Sequence, residues 1–444
     1  MNPRKFVIRA SKRRQLSALD NRKRLYAETE TGEQQRIRLE KLNQTWGRAR
    51  EASPFYRHWA KKYGLPARLE ALEQMQDFPL LTKEVLREHQ DLVFGDGGGE
   101  AAYVTGGSTG SPMRYPKSDD EVPDRWVNGF LGRSWIGIEP GDPYLHPWGH
   151  SHLFGGGPQA GVRKVVRAAK DLASGGHRVN GYDRSPEALA SVADELVRLK
   201  PKYIIGYASY ITQLAHHLIS HGLPAPSSLE WVIPTSDTST AEDLEVMARA
   251  FGARVAGEYG SVETGLLAHY DATAGALRVP WASIYGALPD PETGIQVTTL
   301  DPRRFPLFNY AIGDAVEGVD GVDDIRFLST VRGRVNQQVA VRRLDGTFAN
   351  VLPNQYEHML RAFPTITQVQ FAPTSAGELT ILATAPAPTW TDAEITARVH
   401  EDVRKTDQGI DLTAITVKMV REPTLSVAGK VPKTLPVDAW DGDR

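Results

Sequence analysis

Residues 185–207, SPEALASVADELVRLKPKYIIGY, hold a helix signal followed at once by a strand signal, and this pair sets the fold class. Ser185 is a helix-capping residue, and Pro186 suits the first helical position. Apolar residues then recur at helical spacing, at Leu189, Val192, Leu196 and Leu199. Residues 203–205 form a short apolar run typical of a buried strand. The stretch therefore predicts one helix and one strand of a layered α/β protein.

The same alternation continues toward the C-terminus. A helical pattern ends at Gly222, an apolar strand candidate covers residues 231–233, and a further helical pattern ends at Gly252. Strands that alternate with helices over short connections predict a parallel sheet, in which ligands lie beyond the carboxyl ends of the strands. Two segments that follow this pattern, 235–238 and 258–263, are therefore expected to face one crevice.

The texture of the sequence changes after about residue 335. Short segments typical of strands occur there together with two helical patterns, near 354–362 and 391–404. We therefore predict two domains. The first is a large α/β domain over residues 1–334 with parallel or mixed sheets, and the second is a small α+β domain over residues 335–444.

Composition excludes several classes of protein. The chain has 444 residues, of which 41% are hydrophobic and 24% charged, so it can bury a sizeable core and stay soluble. Its 52 Lys and Arg residues balance 54 Asp and Glu residues, which argues against nucleic acid as a partner. No apolar run approaches the roughly 18 residues that cross a bilayer. The absence of cysteine excludes disulfide scaffolds and suits a reducing compartment, so we expect a cytoplasmic protein, and a homodimer stays open.

Basic residues crowd the first 24 positions, where Asp20 is the single acid. We expect a solvated or poorly ordered arm in this part of the chain, with an interaction tail as the alternative.

The densest chemical signal is residues 105–112, TGGSTGSP, which follow a strand candidate at 101–104. Glycine lets successive backbone N–H groups converge on an anion, and hydroxyl groups add neutral donors. We therefore interpret this segment as a phosphate-binding loop. The same letters spell G-x-S-x-G, so a hydrolase with Ser108 as its nucleophile is an alternative, and a structural glycine turn is another. Pro112 argues against the helix that such a nucleophile needs.

Three further residues have side chains suited to a nucleotide site. Glu263 lies at the end of a predicted strand, where a carboxylate can hold Mg²⁺ against a phosphate. Asp314 can accept hydrogen bonds from ribose hydroxyls, and Lys430 can reach a negatively charged site from a C-terminal loop. Taken singly, each also has a plainer interpretation, as an exposed acid, a turn residue and a solvated lysine.

In combination, these segments resemble the adenylate-forming enzymes, specifically the phenylacetate–CoA ligase-like branch of the acyl-CoA synthetase superfamily. The opening segments SPFY at 53–56 and PLLTK at 79–83 are similar to that branch. Further matches follow in the family's order and extend the resemblance to Lys433. They are TGGSTGSP at 105–112, YGSVE at 259–263, YAIGD at 310–314, GR at 333–334 and GK at 429–430.

The resemblance implies a role for each matched residue. The ATP phosphates would be held by Thr105, Gly106, Gly107, Ser108, Thr109 and Gly110. The rest of the ATP and AMP site would comprise Ser236, Asp237, Glu258, Tyr259, Gly260, Ser261, Asp314 and Arg334. Within this set Tyr259 would stack on adenine, and Asp314 and Arg334 would contact the ribose. Glu263 would bind Mg²⁺, and the catalytic residues would be Glu263, Arg334 and Lys430, with Lys430 stabilising the charge that develops as a carboxylate attacks the α-phosphate.

The acid pocket is expected between residues 146–157, HPWGHSHLFGGG, and the helix start at 207–210. The predicted pocket residues are His150, Phe154, Tyr207, Ser209 and Gly260. These side chains favour an aromatic or similarly flat carboxylic acid. The histidines of this segment also suggest a metal site, which its proline and glycines make the weaker interpretation.

The predicted function is an ATP- and Mg²⁺-dependent ligase that makes an acyl-AMP and passes the acyl group to a thiol, with CoA as the expected acceptor. An amine or a carrier-protein thiol is the alternative acceptor, because the hinge segment 333–337, GRVNQ, lacks the carboxylates common in relatives. A serine hydrolase using Ser108 and a non-catalytic nucleotide-binding protein are the alternatives from other classes.

Overall fold

The structure is a computed structural model, and its description covers residues 8, 11–95, 102–104, 114–116, 118, 121–148, 175–181, 183, 185–236, 239, 241–291, 293–334, 339–351, 360, 363, 365–366, 368–385, 389–424, 432–440 and 442. Its α-helices are α1 (Arg13–Glu28), α2 (Thr31–Ala52), α3 (Pro54–Tyr63), α4 (Lys83–Glu88), α5 (Gln90–Phe94), α6 (Glu121–Ser134), α7 (Pro186–Leu199), α8 (Ala208–Ser220), α9 (Ala241–Phe251) and α10 (Asp392–Thr406). Its strands up to the hinge segment are β1 (Ala102–Val104), β2 (Arg114–Pro116), β3 (Tyr144–Trp148), β4 (Gly176–Asn180), β5 (Tyr203–Tyr207), β6 (Trp231–Thr235), β7 (Arg254–Val255), β8 (Glu258–Ser261), β9 (Gly265–Asp271), β10 (Ala276–Arg278), β11 (Ile284–Ala287), β12 (Gln296–Thr299), β13 (Tyr310–Ala311), β14 (Asp314–Glu317), β15 (Phe327–Leu328) and β16 (Thr330–Arg334). The later strands are β17 (Val339–Arg342), β18 (Phe348–Val351), β19 (Gln368–Pro373), β20 (Leu379–Thr384) and β21 (Ile415–Val420).

A five-stranded parallel sheet with the order β4-β3-β5-β6-β7 forms the centre of the α/β layer. Helices α7, α8 and α9 cover one of its faces and bury a core that includes Leu196, Leu214 and Met247. The side chain of Ser185 caps α7 by accepting a hydrogen bond from the backbone N–H of Ala188. The α/β class predicted from the alternating pattern is therefore confirmed.

A second sheet lies beside the carboxyl end of β6. It is a four-stranded sheet with the order β15-β10-β9-β8, and its hydrogen-bonded pairs are antiparallel. The hydroxyl of Thr235, the last residue of β6, donates to the backbone carbonyl of Glu258, the first residue of β8, at 3.2 Å. The end of β6 and the start of β8 are therefore neighbours. Residues 237–238 lie outside the described residues, so the crevice expected between 235–238 and 258–263 stays a prediction.

The expected solvated arm is wrong for residues 13–24, which belong to α1. Leu19 and Tyr26 of this helix are buried, and the Arg22 guanidinium donates to Asn128 and Ser283. The many basic residues do not predict this packed helix, because a few apolar residues on one face are enough to attach it to α6.

The region after residue 339 has a core of its own. Among the described residues, that core combines α10 with β17 to β21 and includes Val341, Ile381 and Val399. Thr391 begins α10 with a capping box, in which its side chain and Glu394 satisfy each other's backbone N–H groups. The helix expected near 354–362 lies outside the described residues, apart from Leu360. The division at 334/335 stays a prediction.

None of the described helices is both long enough and apolar enough to cross a membrane.

Candidate active site

The β8–β9 hairpin carries Tyr259, Gly260, Ser261 and Glu263. Its register shifts between Tyr259 and Gly260, which twists the strand where the predicted nucleotide residues begin. A Cβ atom at Gly260 would lie 2.5 Å from the carbonyl oxygen of Gly265, so only glycine allows this approach of the two strands. Ser261 accepts a hydrogen bond from the backbone N–H of Thr264 and closes the turn.

Glu263 is nearly inaccessible to solvent, with 3% of its surface exposed. The Lys83 ammonium lies 3.1 Å from its Oε1 atom, and the Tyr310 hydroxyl donates to the same oxygen at 3.4 Å. Burial raises the pKa of Glu263, but the Lys83 charge and the hydrogen bonds to the carboxylate lower it more, so the pKa lies below its usual range. Glu263 is therefore an anion inside the protein.

Tyr259 and Asp314 are joined directly. The Tyr259 hydroxyl donates to Asp314 Oδ2 at 2.8 Å. Asp314 begins β14, where its Cα atom pairs with that of Arg334 across the antiparallel β14–β16 ladder. Three residues predicted to bind the nucleotide thus come from distant parts of the chain and meet at one place. The side chain of Arg334 lies outside the description.

Glu258 has a different setting from its neighbours in β8. Its carboxylate lies 3.2 Å from the Arg133 guanidinium and 3.8 Å from Nε2 of the fully buried His269. Burial lowers the pKa of His269, so its imidazole is neutral near pH 7. The Glu258 side chain is therefore held by groups of the interior, and its part in nucleotide binding stays a prediction.

Ser236 follows the carboxyl end of β6 in a left-handed conformation, with φ of 70°. A non-glycine residue in this region is uncommon and costs backbone strain. The strained residue lies next to Thr235, which contacts β8. Asp237, the next predicted residue, lies outside the described residues.

The described residues of the predicted acid pocket include an aromatic pair. Tyr207, at the end of β5, stacks on Trp148, at the end of β3, with ring centroids 4.5 Å apart and planes inclined by 13°. Ser209 is half-buried in the first turn of α8. Two strand positions before Trp148, burial and the guanidinium groups of Arg178 and Arg133 lower the pKa of His146 to about 3, so this imidazole is neutral.

Several predicted residues lie outside the described ranges. They are Thr105, Gly106, Gly107, Ser108, Thr109, Gly110, Asp237, Lys430, His150 and Phe154. Their roles stay predictions, as does the alternative of Ser108 as a nucleophile.

Sequence reasoning gave no role to Lys83, Arg125 or Arg303, although all three contact the turn that carries Glu263. In the sequence Lys83 stands out only as the last residue of PLLTK. Because it is 180 positions before Glu263, no local pattern connects the two residues. Their contact appears only when the chain is folded.

The Glu263 carboxylate suits a magnesium ion that is also held by the phosphates of a bound nucleotide. Mg²⁺ in nucleotide sites is bound through one or two carboxylates, with phosphates and water completing its shell. Glu263 supplies one ionised carboxylate, and the described residues contain no cluster of three or more acidic or histidine side chains that could bind a metal alone. A metal at Glu263 would therefore suit a shell completed by phosphate oxygens and water.

No protein-family model matches the chain. Protein CapK of Staphylococcus aureus is 23% identical over 291 residues, which cover 63% of this chain and 62% of the length of CapK. 2-Hydroxyisobutyryl-CoA ligase in the postadenylation state with 2-HIB-AMP superposes with a TM-score of 0.66 at 16% identity, covering 92% of this chain and 90% of the ligase. ATP-bound MatB from Rhodopseudomonas palustris gives a TM-score of 0.51 at 17% identity over 75% of this chain and 66% of MatB. This chain therefore has the fold of the adenylate-forming acyl-CoA ligases.

Proposed function

We propose that this protein is an ATP- and Mg²⁺-dependent acid ligase of the phenylacetate–CoA ligase-like branch. In the first step a carboxylate oxygen attacks the α-phosphorus of ATP, and pyrophosphate leaves as the acyl-AMP forms. In the second step the sulfur of a thiol, for which we propose CoA, attacks the acyl carbon; the thiol loses its proton and AMP leaves. Both ATP and CoA are abundant in the cytoplasm, where we place the protein.

The observation that carries this proposal is the meeting of Tyr259, Asp314 and the Glu263 turn. The resemblance assigns Tyr259 to adenine and Glu263 to magnesium from the segment 259–263, and Asp314 to ribose from the segment 310–314. The hydrogen bond between Tyr259 and Asp314 brings residues of these two segments into direct contact. Adenylation needs positioning and charge stabilisation rather than covalent help, because the displacement at phosphorus is in line.

In this mechanism the described side chains bind and orient the nucleotide. Tyr259 offers its ring to adenine while its hydroxyl holds Asp314, and Asp314 accepts hydrogen bonds from the ribose. Glu263 would hold Mg²⁺, which supplies positive charge to the phosphates when bound. Lys83 keeps Glu263 ionised in the free protein. Lys430, from the proposed domain over residues 335–444, would stabilise the charge on the α-phosphate, and the segment 105–110 would bind the other phosphates.

We propose an aromatic or similarly flat small acid as the substrate. The stacked Trp148 and Tyr207 support this class, because aromatic side chains that line a binding site favour flat apolar groups. His146 also supports a flat apolar substrate, because its neutral imidazole adds no charge to the face of β3 that carries Trp148.

The test is pyrophosphate release from ATP and Mg²⁺ over aryl, arylacetic and aliphatic acids, with and without CoA. We expect release that depends on one class of flat acid and rises with CoA. Release that CoA does not affect would keep the adenylate and direct the search to an amine or a carrier protein as acceptor. Exclusive activity with long-chain fatty acids would contradict the proposed substrate, and ATP-independent ester hydrolysis would contradict the ligase itself.

A further inference from the structure

Two arginines hold the backbone of the turn that carries Glu263. The Arg125 guanidinium, from α6, donates to the carbonyl oxygen of Val262 at 2.9 Å and reaches that of Glu263 at 3.5 Å. The Arg303 guanidinium donates through Nη1 to the carbonyl oxygen of Glu263 at 2.9 Å and through Nη2 to that of Thr264. The Glu263 carbonyl is therefore shared by two cationic donors on different elements.

The backbone around Arg303 is itself fixed by buried side chains. The Glu121 carboxylate accepts from the backbone N–H of Arg304 at 2.8 Å. The Tyr115 hydroxyl donates to the carbonyl of Phe305, and the Tyr56 hydroxyl donates to the carbonyl of the next residue, Pro306. Both tyrosine rings are almost fully buried. Residues 302–306, which we call the strut, therefore cannot shift without breaking several interior hydrogen bonds.

The strut also reaches the strand that follows the predicted phosphate loop. Tyr115 is the central residue of β2, whose first residue, Arg114, comes shortly after the segment 105–112. A single segment thus bonds to β2 through Phe305 and to the Glu263 turn through Arg303. Its position fixes the turn relative to β2.

We infer that Arg303 is a positioning residue that sets the Glu263 carboxylate for the magnesium of the bound nucleotide, an inference that rests on the proposed function. The rigid fork of a guanidinium suits two successive carbonyls, whereas an ammonium is a single point of charge. The Arg303 hydrogen bonds fix the backbone that follows the Glu263 Cα atom, and the Arg125 hydrogen bond to the Val262 carbonyl fixes the backbone before it. Together they restrain the direction of the Glu263 side chain. Arg125 holds the same turn from helix α6.

The test compares Arg303→Gln and Arg303→Lys with the control variant Arg68→Gln. Arg68 is exposed and lies outside both the strut and the Glu263 turn, so its replacement removes a positive charge from the surface. The first readout is hydrogen exchange of the peptide spanning residues 257–268 in the free protein. The second is the magnesium dependence of ATP binding by calorimetry, together with the KM values for Mg·ATP and for the acid.

Arg303→Gln should speed exchange in the turn and raise the apparent magnesium constant by about tenfold each, as the loss of a charged hydrogen-bond donor implies. The KM for the acid should change less than twofold. Arg303→Lys should fall between wild type and Arg303→Gln, and Arg68→Gln should match the wild type. Unchanged exchange and an unchanged magnesium constant in Arg303→Gln would overturn the inference. A rise in the KM for the acid as large as the rise in the magnesium constant would overturn it too.

Two further outcomes keep the inference separate from the proposed function. If the wild-type protein binds no ATP, the proposed function fails and the magnesium role of Arg303 fails with it, while faster exchange in Arg303→Gln would still establish that Arg303 holds the turn. If Arg303→Gln does not fold, Arg125→Gln tests the same carbonyl from α6. Wild-type exchange over residues 257–268 in that variant would overturn the two-arginine arrangement.

Discussion

Glu263 keeps its charge in a buried position because the Lys83 ammonium lies beside its carboxylate and hydrogen bonds reach that carboxylate. Desolvation alone would favour the protonated acid, and the nearby ammonium reverses that preference. The folded pKa therefore lies below the unfolded value. The stabilisation by this group is present above the unfolded pKa and is lost as the pH falls through the folded pKa.

Lys83→Met removes the ammonium and leaves burial as the largest influence on the pKa of Glu263. We expect the pKa to rise, so the acid limb of the pH profile for Mg·ATP binding should move to higher pH. Calorimetric titrations between pH 4 and pH 8 (~1 unit apart) would measure the movement. Arg87→Gln is the control, because it removes a positive charge from the same helix at a residue that pairs with Glu84. An acid limb that stays in place in Lys83→Met would show that Lys83 does not set the charge of Glu263.

At the scale of secondary-structure elements, the site depends on the bulged β8–β9 hairpin and on how the N-terminal helices attach. The hairpin needs a glycine where its strands cross most closely. Helices α1 and α2 attach through Asp301, whose carboxylate lies 2.6 Å from the Lys41 ammonium and 3.7 Å from Arg22. Burial raises the pKa of Asp301, but these two cations hold it well below its usual range.

Gly260→Ala should distort the hairpin, because the new Cβ would meet the Gly265 carbonyl oxygen and neither backbone can yield easily. We expect a loss of about 1–3 kcal/mol in the free energy of unfolding, with weaker ATP binding. Denaturant unfolding and calorimetry would measure both. Gly47→Ala is the matched control: this helical glycine has open space around it, and alanine should stabilise the helix by about 0.5–1 kcal/mol. Wild-type stability in Gly260→Ala would contradict the close approach.

Lys41→Met should leave Asp301 as a buried, poorly compensated charge. We expect a loss of about 3 kcal/mol in the free energy of unfolding at neutral pH. Because the folded pKa of Asp301 is depressed, its stabilisation is present above the unfolded pKa and declines as the pH falls, so the gap between variant and wild type should narrow below about pH 3.9. Urea unfolding at several pH values measures this. Lys61→Met changes an exposed lysine on α3 and should hardly lower the free energy of unfolding. An equally small decrease in Lys41→Met would show that Lys41 does not stabilise the buried charge of Asp301.

At the scale of the whole molecule, the chain has separate cores for its main parts. The described core after residue 339 is built from residues of that region, while the parallel sheet and the hairpin sheet belong to the region before it. In the proposed mechanism the two regions meet chemically through Lys430. Nucleotide binding and adenylation should therefore be separable.

Lys430→Ala should reduce adenylate formation by about 10²-fold or more, because a cation that acts on the transition-state charge contributes to rate rather than to ground-state binding. ATP affinity should stay close to that of the wild type. Pyrophosphate exchange measures the first quantity and calorimetry the second. Lys433→Ala removes a nearby lysine as the control. Normal adenylation by Lys430→Ala would remove Lys430 from the mechanism.

The sequence by itself determined the class of the fold and those elements whose signals are local. Helix caps, helical spacing and glycine stops depend only on neighbours within a few positions. The helix Pro186–Leu199, the strand after it and the end of α9 before Gly252 therefore agree with the prediction. The YGSVE and YAIGD segments also indicated Tyr259, Glu263 and Asp314 as candidates for one site.

Only the tertiary structure decided what surrounds those residues. The contacts of Glu263 with Lys83 and Arg303, and of Arg22 with Asn128, join positions far apart in the chain. A basic stretch such as residues 4–24 looks solvated because local pattern does not reveal a distant acid that would pair with it. Side-chain charge states follow from burial and from such long-range partners, and these exist only once the chain is packed.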